Sequence, residues 1–488
     1  MGQLAHQVFI ISDLHLGGRA GAQGGRGFQM MTHPDRLASF IDAIGRQGPS
    51  TKELVIAGDF VDFLAQETET PGVWTPIIEE PQRAADQLEQ LARGSSFSAV
   101  FEVLGAFLAK KHKLTIMLGN HDIELSFPQV RSTLARVLKK EPGHDFTFIY
   151  DGEAYALGDA LIEHGNRYDR YNIVDHDKLR RLRSLQSRGQ EQEHAGIFPP
   201  PAGSRLVAEV MNPIKSKYAF VDLLKPENES VIPILLALEP DFIEKIEQVA
   251  RVLAPSITHG LKEDDLPVRL SEASAKAGVA ELDPAERLAS TLGAAMGERE
   301  ARRFLAEIDE ARQGEDVGVT LADASAFSAI RQGAQQFASL WSIAEAGLDG
   351  PLESRLPALR KALRALQGDR TFERGHETEP RYLNAAKALC ARGRFRYAVF
   401  GHTHLAREIT HEHGVYLNSG TWADLMRVPK AVLSEDDAVA TEALRRFVKD
   451  ITENRLSEYV AFMPTYVQLD MAADGRVLEG HVRDDVAR

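Results

Sequence analysis

Short apolar runs recur along this chain, and each is cut off by polar residues. They are VFIIS (8–12), LVIAG (54–58), LTIML (114–118), ALIEH (160–164) and YAVFG (397–401). Runs this short, bounded by turn formers, predict buried strands. Between the early runs, apolar positions recur every three or four residues. This spacing marks PDRLASFIDAIGR (34–46), the stretch from Pro81 to Lys111 with a break near Gly94, and PQVRSTLARVLKK (128–140). It predicts amphipathic helices. Strand and helix in alternation predict a mostly parallel sheet with helices packed on it. In such sheets functional groups gather beyond the carboxyl ends of the strands. The end of the chain reads differently. AREITHEHGVYLNSGTW (406–422) and YVAFMPTYVQLDMAADGRVLEGHV (459–482) look like hairpins with glycine-containing turns. The whole pattern predicts an α/β fold in which two mixed sheets stack on each other with helices outside.

Residues 173–389 break this pattern. They are rich in Ala, Leu, Arg and Glu, with helical spacing in DFIEKIEQVARVL (241–253) and PALRKALRALQ (357–367), and with breaks such as FPPPAGS (198–204). A segment of this size exceeds any loop. It predicts a large, mostly helical insertion at 173–389, carried by a core made of residues 1–172 and 390–488.

Composition narrows the class. The 488 residues are 43% hydrophobic and 26% charged, which suits a globular protein with a sizeable core. A net charge of −14 excludes a general nucleic-acid surface, though not a local basic groove. No apolar stretch is long enough to span a bilayer, and contact with a membrane surface stays open. Cys390 is the single cysteine, so disulfides cannot hold the fold. With no signal-like pattern in MGQLAHQVFIISD, a reducing cytoplasm is the expected compartment.

The polar residues that end the strands carry the chemistry. Asp13 and His15 follow the first run, Asp59 and Asp62 the second, and Asn120, His121 and Asp122 the third; His164 closes the fourth, and His402 and His404 follow the fifth. Any one of these alone reads as a cap, a turn or a buried histidine. Five strand ends that all present oxygen and nitrogen donors, with no thiolate, read as a dinuclear metal centre. Two divalent ions about 4 Å apart call for a bridging carboxylate. Asp59 is the expected bridge. Asp13, His15 and His404 complete one position, and Asn120, His164 and His402 the other. The glycines before Asp59, Asn120 and His402 allow close backbone approach. Mixed imidazole and carboxylate donors suit manganese first, with iron or zinc as alternatives. His121 is expected to act as an acid near the metals, oriented by a neighbouring group. Asp122 either serves as that group or caps the following helix; Asp62 either supports a ligand histidine or caps.

These residues resemble the calcineurin-like metallophosphoesterases, whose blocks read D-x-H, G-D-x-x-D, G-N-H-[DE], a histidine followed by glycine, and G-H-x-H. Here they are Asp13-Leu-His15, Gly58-Asp59-Phe-Val-Asp62, Gly119-Asn120-His121-Asp122, His164-Gly165 and Gly401-His402-Thr-His404. The resemblance covers roughly 1–172 and 390–488. It implies a four-layer α/β/β/α sandwich, two metal ions in the ligand sets above, in-line attack by a metal-bound hydroxide on a phosphoester, and His121 as the acid for the leaving group. ISDLHLGG, HGNRYDRYN and YLNSGTWAD look in addition like the branch of UDP-2,3-diacylglucosamine diphosphatase, which hydrolyses a lipid-linked sugar-nucleotide pyrophosphate. This chain departs from that branch in having His121 where arginine is usual and in its much larger insertion. A histidine there suits a poor leaving group such as an alcohol.

The implied partner is a phosphorylated small molecule or nucleotide-type substrate; a nuclease or cyclic-nucleotide phosphodiesterase is the other hydrolytic reading, and a non-catalytic binding module the reading outside enzymes. Eight residues separate His164 from the start of the insertion, which is expected to form a lid over the site. Arg167 and Arg170 are placed to reach a phosphate. Tyr168 and Tyr171 are read as packed at the base of the lid rather than stacked on substrate.

Overall fold

The computed structural model describes residues 4–485 apart from 21–26, 49, 95, 153, 170, 191–196, 226–230, 232–233, 236, 239–351 and 367–370. The chain forms two compact units, one of residues 1–223, 369–425 and 460–488 and one of residues 224–368 and 426–459. The first unit includes the helices His176–Gln186 and Pro380–Ala391, which the sequence pattern assigned to the insertion. Most of that insertion, with the helical spacing at 241–253, lies outside the described residues.

The first sheet places β1 (Leu4–Ile11), β2 (Lys52–Ala57), β3 (Lys113–Met117) and β4 (Phe146–Ile149) side by side and parallel. Helices α1 (Pro34–Ile44), α2 (Pro81–Gly94), α3 (Ser98–Ala109) and α4 (Pro128–Val137) connect them. The expected break near Gly94 separates α2 from α3. Pro34 and Pro128 open their helices, where the missing N–H costs nothing. On its other edge β1 pairs antiparallel with Thr465–Ala472, which turns back as the hairpin strand Val477–Asp484. The second sheet runs in the order β5 (Tyr155–Leu157), β6 (Ala160–Ile162), β7 (Tyr397–Phe400), β9 (Gly414–Asn418), β8 (Arg407–His411). Its three central strands are parallel, and β8–β9 is the expected hairpin.

Side chains alternate across each strand, and this sorts the layers. Phe9, Ile11, Leu54, Ile56, Leu114 and Ile116 face the helices α1–α4. Val8, Ile10, Val55, Ala57 and Met117 face the second sheet, meeting Ala160, Ile162, Tyr397, Val399 and Leu417. On that sheet's far face, Ala398, Phe400 and Tyr416 pack on Tyr382, Ala386 and Cys390 of the helix Pro380–Ala391. Helix, sheet, sheet, helix is the four-layer sandwich that the pattern and the resemblance led us to expect. Strands sealed on both faces explain the continuous apolar runs.

In the second unit the helix Asp437–Thr452 starts at Asp436, whose carboxylate accepts from the amides of Ala438 and Val439 at 2.9 and 3.1 Å. Arg445 on this helix pairs with Glu353 of the helix Leu352–Leu366 at 2.9 Å. No single helix among the described residues is long and apolar enough to cross a membrane.

Candidate metal centre

Register brings the strand ends together. Ile11 pairs with Ile56, Ala57 with Met117, and in the second sheet Ile162 with Val399. The turns that follow are tied to one another through their backbones. The amides of Leu14 and His15 both donate to the Asp59 carbonyl at 2.9 Å, and Gly401 N donates to the His164 carbonyl at 2.8 Å. Asp13, His15, Asp59, His402 and His404 all sit in the left-handed region, with φ of 54°, 46°, 51°, 69° and 59°. Residues with a Cβ adopt this conformation at a cost of about 1–3 kcal/mol each, and such positions cluster at functional sites. Neighbouring turns come close at two of these glycines. A Cβ on Gly119 would lie 2.1 Å from Asp59 Oδ1, and one on Gly401 would lie 2.3 Å from Ser12 Oγ.

Among the described residues, three sets of side chains have donor atoms within 4.8 Å of one another: Asp13, His15 and His404; His15, Asp59 and His121; and Asp59, His164 and His402. In the first, His15 Nε2 and His404 Nε2 face each other at 3.1 Å, and His404 Nε2 lies 3.4 Å from Asp13 Oδ1. Asp13 Oδ1 is buried without a hydrogen bond. Two ring nitrogens at that separation, beside an unsatisfied carboxylate oxygen, fit donors on one cation with bonds of about 2.1 Å. The other oxygen of Asp13 accepts from His402 N at 2.9 Å and from the Ser12 hydroxyl, which also meets Ser419 Oγ at 2.7 Å.

In the third set His164 Nδ1 lies 2.8 Å from the Ala57 carbonyl, which can only accept, so Nδ1 carries the proton. Nε2 then faces Asp59 Oδ2 and Asn120 Oδ1, each at 3.2 Å. Burial alone would lower the His164 imidazole, but the Asp59 carboxylate dominates and raises it to about 9. The pocket is built to hold positive charge between these oxygens. Asp59 shows the complementary response. Burial pushes its carboxyl up, and the imidazoles of His164, His121 and His15 pull it well below the ordinary range. Its Oδ2 lies 3.2 Å from His164 Nε2 and 3.8 Å from His15 Nε2, so one oxygen faces both sets.

His121 stands at the rim, with 17% of its side chain exposed and its ring edge-on to His15 at 4.7 Å. Its Nδ1 lies 3.2 Å from Asp62 Oδ1, and the other oxygen of Asp62 lies 3.5 Å from His15 Nδ1. Asp62 therefore supports His15 and His121 together, and it also accepts from Ala65 N at 3.1 Å as a turn cap. Asp122 corrects the expectation placed on it. Its carboxylate accepts from Phe60 N at 2.8 Å and Gly119 N at 2.7 Å, tying the turn after β2 to the turn after β3. It neither orients His121 nor caps the turn of helix that follows. Burial first, and then the charge of Asp59, raise its carboxyl to about 7.

Arg167 lies beside β6 with its side chain half exposed. Its guanidinium is engaged by Glu163 at 3.2 Å and by the Gly152 carbonyl at 2.9 Å. Arg170 lies outside the described residues. Tyr168 packs on Phe400 at 5.1 Å and donates to Glu163 Oε2 at 2.6 Å, the packed role expected of it. Asp169, in the same RYDRYN stretch, escaped the sequence reading. It lies 3.4 Å from His402 Nε2 and 3.5 Å from Arg381 Nη1. Burial would raise its carboxyl, but the His402 and Arg381 charges keep it below the usual range and ionised.

The class defined by this combination is a metal-dependent phosphoesterase. Residues 6–196 match the family model described as calcineurin-like phosphoesterase, which supports that superfamily for the chain. The match takes in the strand ends from Asp13 to His164, while His402 and His404 arrive from β7 of the second sheet. No curated protein matches the chain significantly.

Proposed function

We propose that the chain hydrolyses phosphoesters with alcohol leaving groups at a two-metal centre. Asp59 bridges, Asp13, His15 and His404 hold one ion, and Asn120, His164 and His402 hold the other, with manganese the first expectation and iron or zinc the alternatives. Such a pair of ions supplies charge for the phosphate and an acidified water as nucleophile. The protein's own groups do the rest. The observation that carries the choice of leaving group is His121. Its imidazole is held through Nδ1 by Asp62 at 3.2 Å, reaches solvent, and packs against a ligand histidine. An imidazolium held this way can donate a proton to a departing alkoxide at Nε2, while Asp62 fixes the ring and balances its charge. On this reading the insertion acts as a substrate-selecting cap, apart from the helices His176–Gln186 and Pro380–Ala391, which belong to the first unit.

The test is an activity screen with Mn²⁺ against an alkyl phosphomonoester, an alkyl phosphodiester and a nucleoside-diphosphate sugar. Hydrolysis of either ester supports the reading. Turnover of the pyrophosphate alone would replace it with a sugar-nucleotide pyrophosphatase, in which the leaving group needs less help.

A further inference from the structure

We propose that Asp169 and Asn172 are positioning residues that set the donor atoms of the second metal position; the inference rests on the two-metal reading above. Both lie on the connection that leaves β6 through the helical turn Asn166–Tyr168. Asp169 Oδ2 lies 3.4 Å from His402 Nε2. A carboxylate can only accept, so it draws the imidazole proton to Nε2 and leaves the lone pair on Nδ1. Asn172 continues the chain of contacts. Its Nδ2 donates to Asp169 Oδ2 at 3.0 Å, which turns its Oδ1 toward Asn120. That oxygen accepts from Asn120 Nδ2 at 3.4 Å. An Asn120 amide held by its nitrogen presents its oxygen on the opposite branch, where it faces His164 Nε2 at 3.2 Å.

One short connection thereby fixes which atom His402 and Asn120 offer, while His164 is fixed separately by the Ala57 carbonyl. The clamp is itself braced. Tyr171 N donates to Asp169 Oδ1 at 3.1 Å, and Arg381, from the helix Pro380–Ala391, approaches the same oxygen at 3.5 Å. Gly203 makes room for the Asn172 amide, since a Cβ there would lie 2.1 Å from Asn172 Oδ1. Partners that orient metal ligands in this way commonly contribute 10–100-fold to metal affinity.

The experiment is Mn²⁺ titration by calorimetry of the full chain and of Asp169→Asn, Asn172→Ala and Gly203→Ala, with thermal unfolding of each. Gly203→Ala removes no polar group, and its methyl would press chiefly on the Asn172 side chain, with the Tyr171 carbonyl next at 3.2 Å. The expected result is two Mn²⁺ on the wild type. In the variants one ion should bind as before and the other about 10–100-fold more weakly, with kcat recovered at saturating Mn²⁺. Two unaltered Mn²⁺ affinities in folded variants would overturn the proposal, as would equal weakening of both. A wild type that binds fewer than two Mn²⁺ would instead sink the two-metal reading itself.

Discussion

The two halves of the centre are braced by different parts of the chain. Asp13, His15 and His404 sit on left-handed turns, as His402 of the other half does, and Ser12 and Asp62 brace Asp13 and His15. The amide of His15 is bonded to the Asp59 carbonyl at 2.9 Å. Asn120 and His402 are fixed by side chains, through Asp169 and Asn172. A ligand held by its own turn comes with a recognisable local motif. A ligand held by a remote side chain does not. The first half is therefore more a property of short stretches of sequence, and the second more a property of the assembled fold.

Variants can probe this contrast in order of expected effect. The largest of these lies beside the first half, at the ring packed on His15. His121→Ala should lower kcat about 10²–10⁴-fold for an alkyl phosphoester, the usual range for losing a general acid. For an ester with an acidic aryl leaving group the loss should be small, and equal losses on both would remove His121 from proton transfer. Gly119→Ala comes next and tests the shared residue. The new methyl would press on Asp59 Oδ1 from 2.1 Å. A displaced bridge should weaken both Mn²⁺ sites together and cost about 10²-fold in kcat/KM. If only one site weakened, Asp59 would belong to a single half. Ser12→Ala is milder. It removes the hydroxyl that joins Asp13 to Ser419, and a lost buried hydrogen bond of about 1–3 kcal/mol should weaken one Mn²⁺ site roughly tenfold while the other is unchanged.

The smallest effect concerns stability alone. Glu124 is buried below the turn after β3, where its Oε1 accepts from Ile78 N at 2.8 Å. Burial raises its carboxyl from the ordinary 4.5 to about 8. Below pH 4.5 both folded and unfolded chains carry this proton. As pH rises from 4.5 toward 8 the unfolded chain releases it while the folded chain keeps it, so stability falls across that window. Glu124→Gln keeps the acceptor oxygen and should flatten this decline, raising Tm at pH 8 by a few degrees with activity unchanged. An identical pH dependence of Tm in the variant would show that Glu124 does not carry the effect.

Much of this was legible in the sequence. The apolar runs marked the strands because strands sealed on both faces need no polar positions, as in Val8–Ile11 and Tyr397–Phe400. The ligand types stood at the strand ends in an unbroken order. What could not be read was contact across the chain. Adjacency suggested Asp122 as the partner of His121, yet successive side chains in a turn point apart, and Asp62, fifty-nine residues away, meets the ring. The RYDRYN stretch drew attention to its arginines and tyrosines, while the groups that reach the centre from it are Asp169 and Asn172. Nothing in the spacing reveals that, because it depends on β6 and β7 lying side by side.

The central claim is that one carboxylate, Asp59, joins the two halves across a pair of metal ions. The most direct measurement is the Mn²⁺ content of the purified chain after equilibrium dialysis, for the wild type and Asp59→Ala side by side. The account predicts two ions per wild-type chain, with loss of both high-affinity sites and of all phosphoesterase activity in the folded variant. A variant that keeps two tightly bound ions, or full activity, would contradict it.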